Sequence, residues 1–272
     1  MARAKSQRVA ILGGGNLGSA LALGWAHSPG INKSNITITR RQVEKLDDLA
    51  AEGYRVSSDN IASIADAEVV VIAVQPQQLH ELLDGIGGAL DSSRHRVIST
   101  VSGVSVAQFR EIIGDDIAIV RAMPNTAVSI GESMTCLCAA GADSDGALNL
   151  ARELFDRLGR TLVISEEMMI PATALCACGV AFFLRSIRAA SQGGIEIGFH
   201  PDEALLLAAQ TAKGAASLVL SEERHPESEI DRVTTPRGCT IAGLNEMEHQ
   251  GFSSAMIKGI LLSAEKAAHL YE

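Results

Sequence analysis

Aromatic side chains are scarce: one Trp, two Tyr and six Phe in 272 residues. A core of any size must therefore be filled by Ala, Leu, Val and Ile, small side chains that favour close helix packing. Positive charge is in deficit too, with 23 Lys and Arg against 32 Asp and Glu and a net charge of −9. That balance argues against nucleic acid as a partner, which needs clustered cations. No uninterrupted apolar run exceeds Val69–Val74, far short of the roughly 20 residues of a membrane span. The basic stretch Met1–Arg8 carries no apolar segment of signal-peptide length. A cytoplasmic location with no membrane partner is expected. The five cysteines, an odd number, fit reduced thiols rather than a disulfide framework. Hydrolase signatures are missing: there is no Gly-x-Ser-x-Gly and no His-Glu-x-x-His. The pairs Cys136/Cys138 and Cys176/Cys178 do not make a zinc site. Residues two apart on a helix point about 200° away from each other, so Cys176 and Cys178 would not share a metal, and no suitably spaced His or Cys completes a ligand set. No metal is expected.

What is present is an alternation of strand and helix. Arg8–Leu12 reads as a strand, followed by a glycine turn and a helix over 19–25. Residues 35–39 form a second strand, 43–52 a polar helix, and 54–56 a short strand. Glu68–Val74, continuous in Val and Ile, reads as a buried strand. Helices follow at 77–90, 105–113 and 143–158, with strands at 96–100, 117–121, 133–139 and 161–164. This order predicts an α/β architecture, a parallel, doubly wound, Rossmann-type sheet with right-handed crossovers, over residues 1–164. From 165 to 272 no convincing strand appears, and the segment reads as an all-helical domain with helices over 166–196, from Pro201 to about Leu220, and near 253–271. The helix after Pro201 has almost no polar face, which implies burial and, in a domain this small, a partner subunit.

Gly13-x-Gly15-x-x-Gly18 follows the first strand and opens a helix, the context in which this motif binds a dinucleotide. The glycines permit the turn, the approach of a pyrophosphate and the packing of helix on strand. About 20 residues on, an NAD site usually carries an acidic residue for the ribose hydroxyls. Here stand Thr39, Arg40 and Arg41, and two guanidiniums suit the 2′-phosphate of NADPH; solvated surface charges in a site open to NADH are the alternative. Ligands of open α/β sheets lie outside the carboxyl ends of the strands. That places Ala73-Val74-Gln75-Pro76 and Met123-Pro124-Asn125-Thr126 beside the nicotinamide, unless each is a simple turn. Further on, Thr234-Thr235-Pro236-Arg237-Gly238-Cys239-Thr240 reads as a loop turning into a helix. Its exposed backbone N–H groups suit a carboxylate or phosphate, although ordinary capped helix starts look the same.

Taken together these stretches resemble the pyrroline-5-carboxylate reductases, over nearly the whole length. The likeness is carried by Ile11–Leu21, which includes Asn16 and Leu17, by Ala73–Gln77, Ser102–Ser105 and Val120–Thr126, and above all by Thr235–Leu244. The resemblance implies NADPH- or NADH-dependent reduction of the cyclic imine 1-pyrroline-5-carboxylate to L-proline, the last step of proline synthesis. It also implies a homodimer through interlocked C-terminal helices, with rings of dimers as a further assembly. Carried over, Asn60, Val74, Pro76, Met123 and Asn125 would lie around the cofactor. Thr235, Gly238, Cys239 and Thr240 would hold the substrate, with Thr240 orienting the ring nitrogen.

Several positions depart from the resembled pattern: Gln75 for Lys, Cys176-Ala177-Cys178-Gly179-Val180 for Ser-Gly-Ser-Gly-Pro, Arg188 for Glu, and Arg237 and Cys239 within a Pro-Gly-Gly-Thr/Ala-Thr loop. If glycine serves at Arg237 for positive φ, arginine there costs about 1–2 kcal/mol. Two alternatives remain. A hydroxyacid dehydrogenase of similar build would want a Lys between Glu166 and Phe199, and none is there. The other is a cofactor-binding regulator without catalysis.

Overall fold

The computed structural model describes residues 7–140, 144–222 and 224–270. The expected helix and terminal boundaries at Asp143 and Tyr271 lie outside them. Two compact units emerge, one formed by residues up to 178 together with those from 263 on, the other by Gly179–Leu262.

The first unit is built on β1 (Val9–Leu12), β2 (Ile36–Thr39), β3 (Arg55–Ser57), β4 (Val69–Ile72), β5 (Arg96–Ser99), β6 (Ala118–Met123), β7 (Ser133–Ala140) and β8 (Gly159–Val163). Among the described residues they form one sheet in the order β3-β2-β1-β4-β5-β6-β7-β8. Helices α1 (Asn16–His27), α2 (Asp47–Ala51), α3 (Asn60–Ala65), α4 (Leu79–Ile86), α5 (Val106–Ile113) and α6 (Ser144–Phe155) connect the strands.

Side chains alternate across the central strands, as the two-residue period of a pleated strand requires. Val9, Ile11, Val69 and Val71 enter one apolar layer with Leu21, Trp25, Leu154 and Phe155. Ala10, Leu12, Val70 and Ile72 enter the other, with Leu79, Leu83, Val106 and Phe109. Both faces are covered, which is why these strands read as unbroken apolar runs. Trp25 is the largest fully buried side chain; its ring meets Phe155 edge-on at 5.6 Å, and its Nε1 donates to the Leu154 carbonyl at 3.0 Å. One Trp suffices because the layer around it is built from branched aliphatics.

One expectation needs correcting. The sheet is not parallel throughout: β6 and β7 are antiparallel, with Met123 opposite Cys136 and Arg121 opposite Cys138. The connecting residues 124–132, which hold only a 3₁₀ turn at Thr126–Ile130, are too few for the crossover that parallel pairing needs. The link from β7 through α6 is long enough, and β8 pairs parallel to β7.

After β8 the chain runs through α7 (Met169–Ala172) and a π-helical segment, Thr173–Cys178. A third, small apolar cluster gathers there: Met123, Cys136, Cys138, Met169 and Ala172, with Cys176 and Ala177 at its margin. Glu166 ties the same region down. Its Oε1 accepts from the Val106 backbone N–H at 2.7 Å and from Arg121 Nη1 at 3.0 Å, and Arg121 is buried.

The second unit holds α8 (Gly179–Glu196), α9 (Pro201–Glu222), α10 (Pro226–Val233), α11 (Cys239–His249) and most of α12 (Phe252–Ala268). α8 and α9 form a helical hairpin that closes at Gly194, where an added Cβ would stand 3.0 Å from the Ala204 Cβ. The apolar α9 is not buried within the single chain: Leu206 is 70% exposed, and Leu205 and Leu220 are exposed as well. Phe183 and Leu184 on α8 and Leu261 and Leu262 on α12 are exposed in the same way. By length and composition alone, Glu166–Glu196 and Pro201–Ser221 are each long and apolar enough to cross a membrane, although no single run of apolar residues in them is long.

Candidate active site

The glycine turn is fixed by what surrounds it. Gly13 has φ +115°, which an L side chain rarely adopts, and a Cβ there would stand 2.5 Å from the Ala73 carbonyl oxygen. A Cβ on Gly18 would collide with the Gly13 carbonyl, so helix α1 could not pack down on the turn. Gly13 and Gly14 both donate their N–H to the Thr39 carbonyl, at 3.2 and 2.7 Å, which ties the turn to the end of β2. Gly15 differs from these. A Cβ on it would meet nothing within 4 Å, and it caps α1 without a side-chain hydrogen bond. The first-turn N–H groups of a 12-residue helix therefore face open space, the arrangement that receives a pyrophosphate.

That space is part of a cavity of about 1100 Å³, lined by Gly13, Gly14, Gly15, Thr39, Arg40, Arg41, Asp59, Asn60, Ala73, Val74 and Gln75, among others. Arg40 Nη1 donates to the Gly14 carbonyl at 3.0 Å, so its guanidinium braces the glycine turn and still borders the cavity. Arg41 is exposed at the rim. β2 ends in Thr39, with no carboxylate at its tip. The residues present therefore fit a dinucleotide, with cations where a 2′-phosphate would lie.

Thr39 is a site residue that the sequence alone did not single out. Its Oγ1 donates to Asn60 Oδ1 at 2.6 Å. Asp59 caps the same helix start, accepting from the Ala62 N–H at 2.9 Å. Gln78, which also lines the cavity, accepts from the Gln75 N–H at 3.4 Å. The one signal pointing to Asp59 in advance was its cap position after a short strand.

Asn16, Leu17, Gly18 and Pro76 lie on the elements framing the cavity rather than among its lining residues. Met123, the last residue of β6, and Pro124 and Asn125 after it are not among the lining residues either. Asn125 is buried and fully engaged. Its Oδ1 accepts from the Ala127 N–H at 3.0 Å, its Nδ2 donates to the Cys176 carbonyl at 3.2 Å, and its own N–H donates to Ser133 Oγ at 3.2 Å. It fixes the path of the Met123–Asn125 loop.

Thr235, Gly238, Cys239 and Thr240 belong to the second unit. Thr235–Gly238 has the proline and the hydrogen bond of a type II turn. Pro236 sits at its second position, and the Gly238 N–H donates to the Thr235 carbonyl at 2.9 Å. Its third position needs positive φ, and Arg237 supplies it at +59°, the one non-glycine residue with positive φ among the described residues. Gly238 is required by space, since a Cβ would stand 2.5 Å from Thr235 Oγ1. It also caps α11 without a side-chain hydrogen bond, leaving the first-turn N–H groups uncapped by any side chain. Thr240, half-buried, is the second residue of that helix. No cluster of three or more His, Cys, Asp or Glu suited to a metal occurs among the described residues.

Residues 166–270 match the family model for the pyrroline-5-carboxylate reductase dimerisation domain, and residues 8–103 match that for coenzyme F420-dependent NADP oxidoreductases. Pyrroline-5-carboxylate reductase 2 of Dictyostelium discoideum is 45% identical over 97% of this chain and 93% of its own length. The chain belongs to the pyrroline-5-carboxylate reductase family. Pyrroline-5-carboxylate reductase 1 of the same organism is 50% identical over 97% of the chain, which spans half of that relative's length. The crystal structure of the Plasmodium falciparum pyrroline carboxylate reductase with NADP bound superposes with a TM-score of 0.89, at 25% identity and 98% coverage of both chains. The fold of this chain is thus shared with that structure over nearly its whole length.

Proposed function

We propose that the chain reduces 1-pyrroline-5-carboxylate to L-proline, with NADPH as the preferred cofactor and NADH as a secondary one. Membership of the family, together with the resemblance of the Thr235–Leu244 loop, supports the reaction. The observation that carries the cofactor preference is the cavity in which Arg40 and Arg41 follow a β2 that ends without a carboxylate. When bound, the nicotinamide supplies a hydride to the imine carbon.

The chain's own residues do the rest. The uncapped first turn of α1 takes the pyrophosphate, Arg40 and Arg41 the 2′-phosphate, and Asn60 turns its amide N–H groups to the ribose side. The first-turn N–H groups of α11 take the substrate carboxylate, and the Thr240 hydroxyl holds the ring nitrogen. No Asp, Glu, His or Lys occurs between Thr234 and Leu244, and Arg237 is the one charged side chain there, so acceleration by this loop is positional rather than acid catalysis. In this reading 1–164 serve the cofactor, and 165–272 serve substrate binding and dimerisation. The exposed apolar side chains of α8, α9 and α12 are the surface a second copy would cover, and a soluble cytoplasmic homodimer, open to further assembly into a ring, is the form proposed.

Oxidation of NADPH in the presence of 1-pyrroline-5-carboxylate tests the reading. Turnover is expected for the wild type, and Thr240→Ala should lose about 10- to 100-fold in kcat/KM. An absence of turnover would favour a cofactor-binding regulator, and a Thr240→Ala enzyme of full activity would remove that residue's role.

A further inference from the structure

Five cysteines are free thiols, and two of them meet across elements forty residues apart. Cys136, in the middle of β7, and Cys176, in the π-helical segment, have sulfurs 3.9 Å from each other. We propose that Cys136 and Cys176 form an oxidation site, a dithiol that a peroxide converts reversibly to an intramolecular disulfide.

Three observations distinguish this pair from the other thiols. The first is distance: the two sulfurs already stand 3.9 Å apart, and a disulfide bond would bring them to roughly 2 Å. Cys138, two residues further along β7, has no such partner among the described residues; it is buried beside Arg121 and Glu166, and burial pushes its thiol up to about 11. The second is access. Cys176 is partly exposed while Cys136 is buried, which separates an attacking sulfur from a resolving one. The third is charge. The hydrogen bond with Cys136 lowers the Cys176 thiol to about 7 against the pull of burial, and the same hydrogen bond raises Cys136. Cys176 is therefore the more readily deprotonated sulfur of the two.

The chemistry balances in two steps. The Cys176 thiolate attacks one peroxide oxygen and the O–O bond breaks. This gives a sulfenic acid and a hydroxide that takes up a proton as water. Cys136 then loses its proton, and its sulfur attacks the Cys176 sulfur, displacing the hydroxyl as a second water. Both thiols are oxidised by two electrons in total, and one peroxide is reduced. The new bond would staple β7 to the segment whose Cys176 carbonyl holds Asn125. It does so without involving the cofactor cavity, so the proposal stands apart from the reductase reading.

Treating the full chain with hydrogen peroxide, blocking the remaining thiols with iodoacetamide and mapping non-reduced peptides by mass spectrometry tests it. The expected result is a Cys136–Cys176 linked peptide pair lighter by two hydrogen atoms, loss of two of the five titratable thiols, and full recovery with dithiothreitol. Cys136→Ser should stop the reaction at a Cys176 sulfenic acid that dimedone traps. A wild-type protein whose oxidised form links other cysteines, links chains to one another, or carries Cys176 only as an unlinked oxyacid would overturn the proposal, whatever the variant does.

Discussion

Thr39 Oγ1 and Asn60 Oδ1 are joined by a 2.6 Å hydrogen bond that crosses from the end of β2 to the start of α3. The hydroxyl donates, so the Asn60 carbonyl oxygen is engaged, and the bond fixes a side chain that lines the cavity. Thr39→Val keeps the shape and removes the donor. KM for the dinucleotide should rise about 3- to 10-fold with kcat little changed, the worth of one ordinary hydrogen bond. Steady-state kinetics with cofactor varied checks this; an unchanged KM means that Asn60 is oriented by its own helix alone.

Arg40 has two tasks, bracing the Gly14 carbonyl and offering positive charge to the cavity. Arg40→Ala should weaken NADPH more than NADH, with a rise in KM of about 10-fold or more for the phosphorylated cofactor. Parallel titrations with the two dinucleotides read the ratio. Equal losses for both would mean that the side chain only supports the turn.

Arg237 holds a positive φ of 59° and pairs with no carboxylate among the described residues. Arg237→Gly relieves the backbone strain but adds freedom to the unfolded chain, for a net gain of about 0.5–1 kcal/mol. Tm should rise by about 1–3 °C. KM for the imine should stay unchanged, because the side chain is exposed. A raised KM would show instead that the guanidinium contacts substrate.

Glu166 satisfies two groups at once, the Val106 N–H and the buried Arg121 guanidinium. Glu166→Ala strands both. Stability should fall by about 2–4 kcal/mol in urea unfolding, chiefly from leaving a buried cation without its partner. Glu166→Gln should lose less, since its amide oxygen can still accept from Val106. Equal losses in the two variants would point to charge alone.

How much of this could be read from the sequence depends on the range of the interaction. Gly13, Gly15 and Gly18 carry local geometry, so their spacing predicted the turn and its ligand class. Pro236 and Gly238 likewise marked a turn, and Arg237 was legible as strain once positive φ was suspected there. The direction of β7 was not read from its residues, because Ser133–Ala140 has the same strand character in either orientation. Only the short link 124–132 decides it. The Thr39–Asn60 and Arg121–Glu166 bonds, and the approach of Cys136 to Cys176, join residues far apart in the chain, where no period or spacing carries a signal. The exposure of Leu205 and Leu206 in the single chain agrees with the partner subunit that the almost wholly apolar helix implied. Apolar periodicity says that a face will be covered, not whether the same chain covers it.

The π-helical turn at Thr173–Cys178 spends more residues per turn than the α-helix that continues from Gly179. Removing one residue from it would restore plain α geometry within the segment. The Cys176 carbonyl, which accepts from the Asn125 amide, would then be shifted along the turn. The wide turn thus works as a length of slack, one extra residue that lets a helix meet a side chain its regular pitch would pass by.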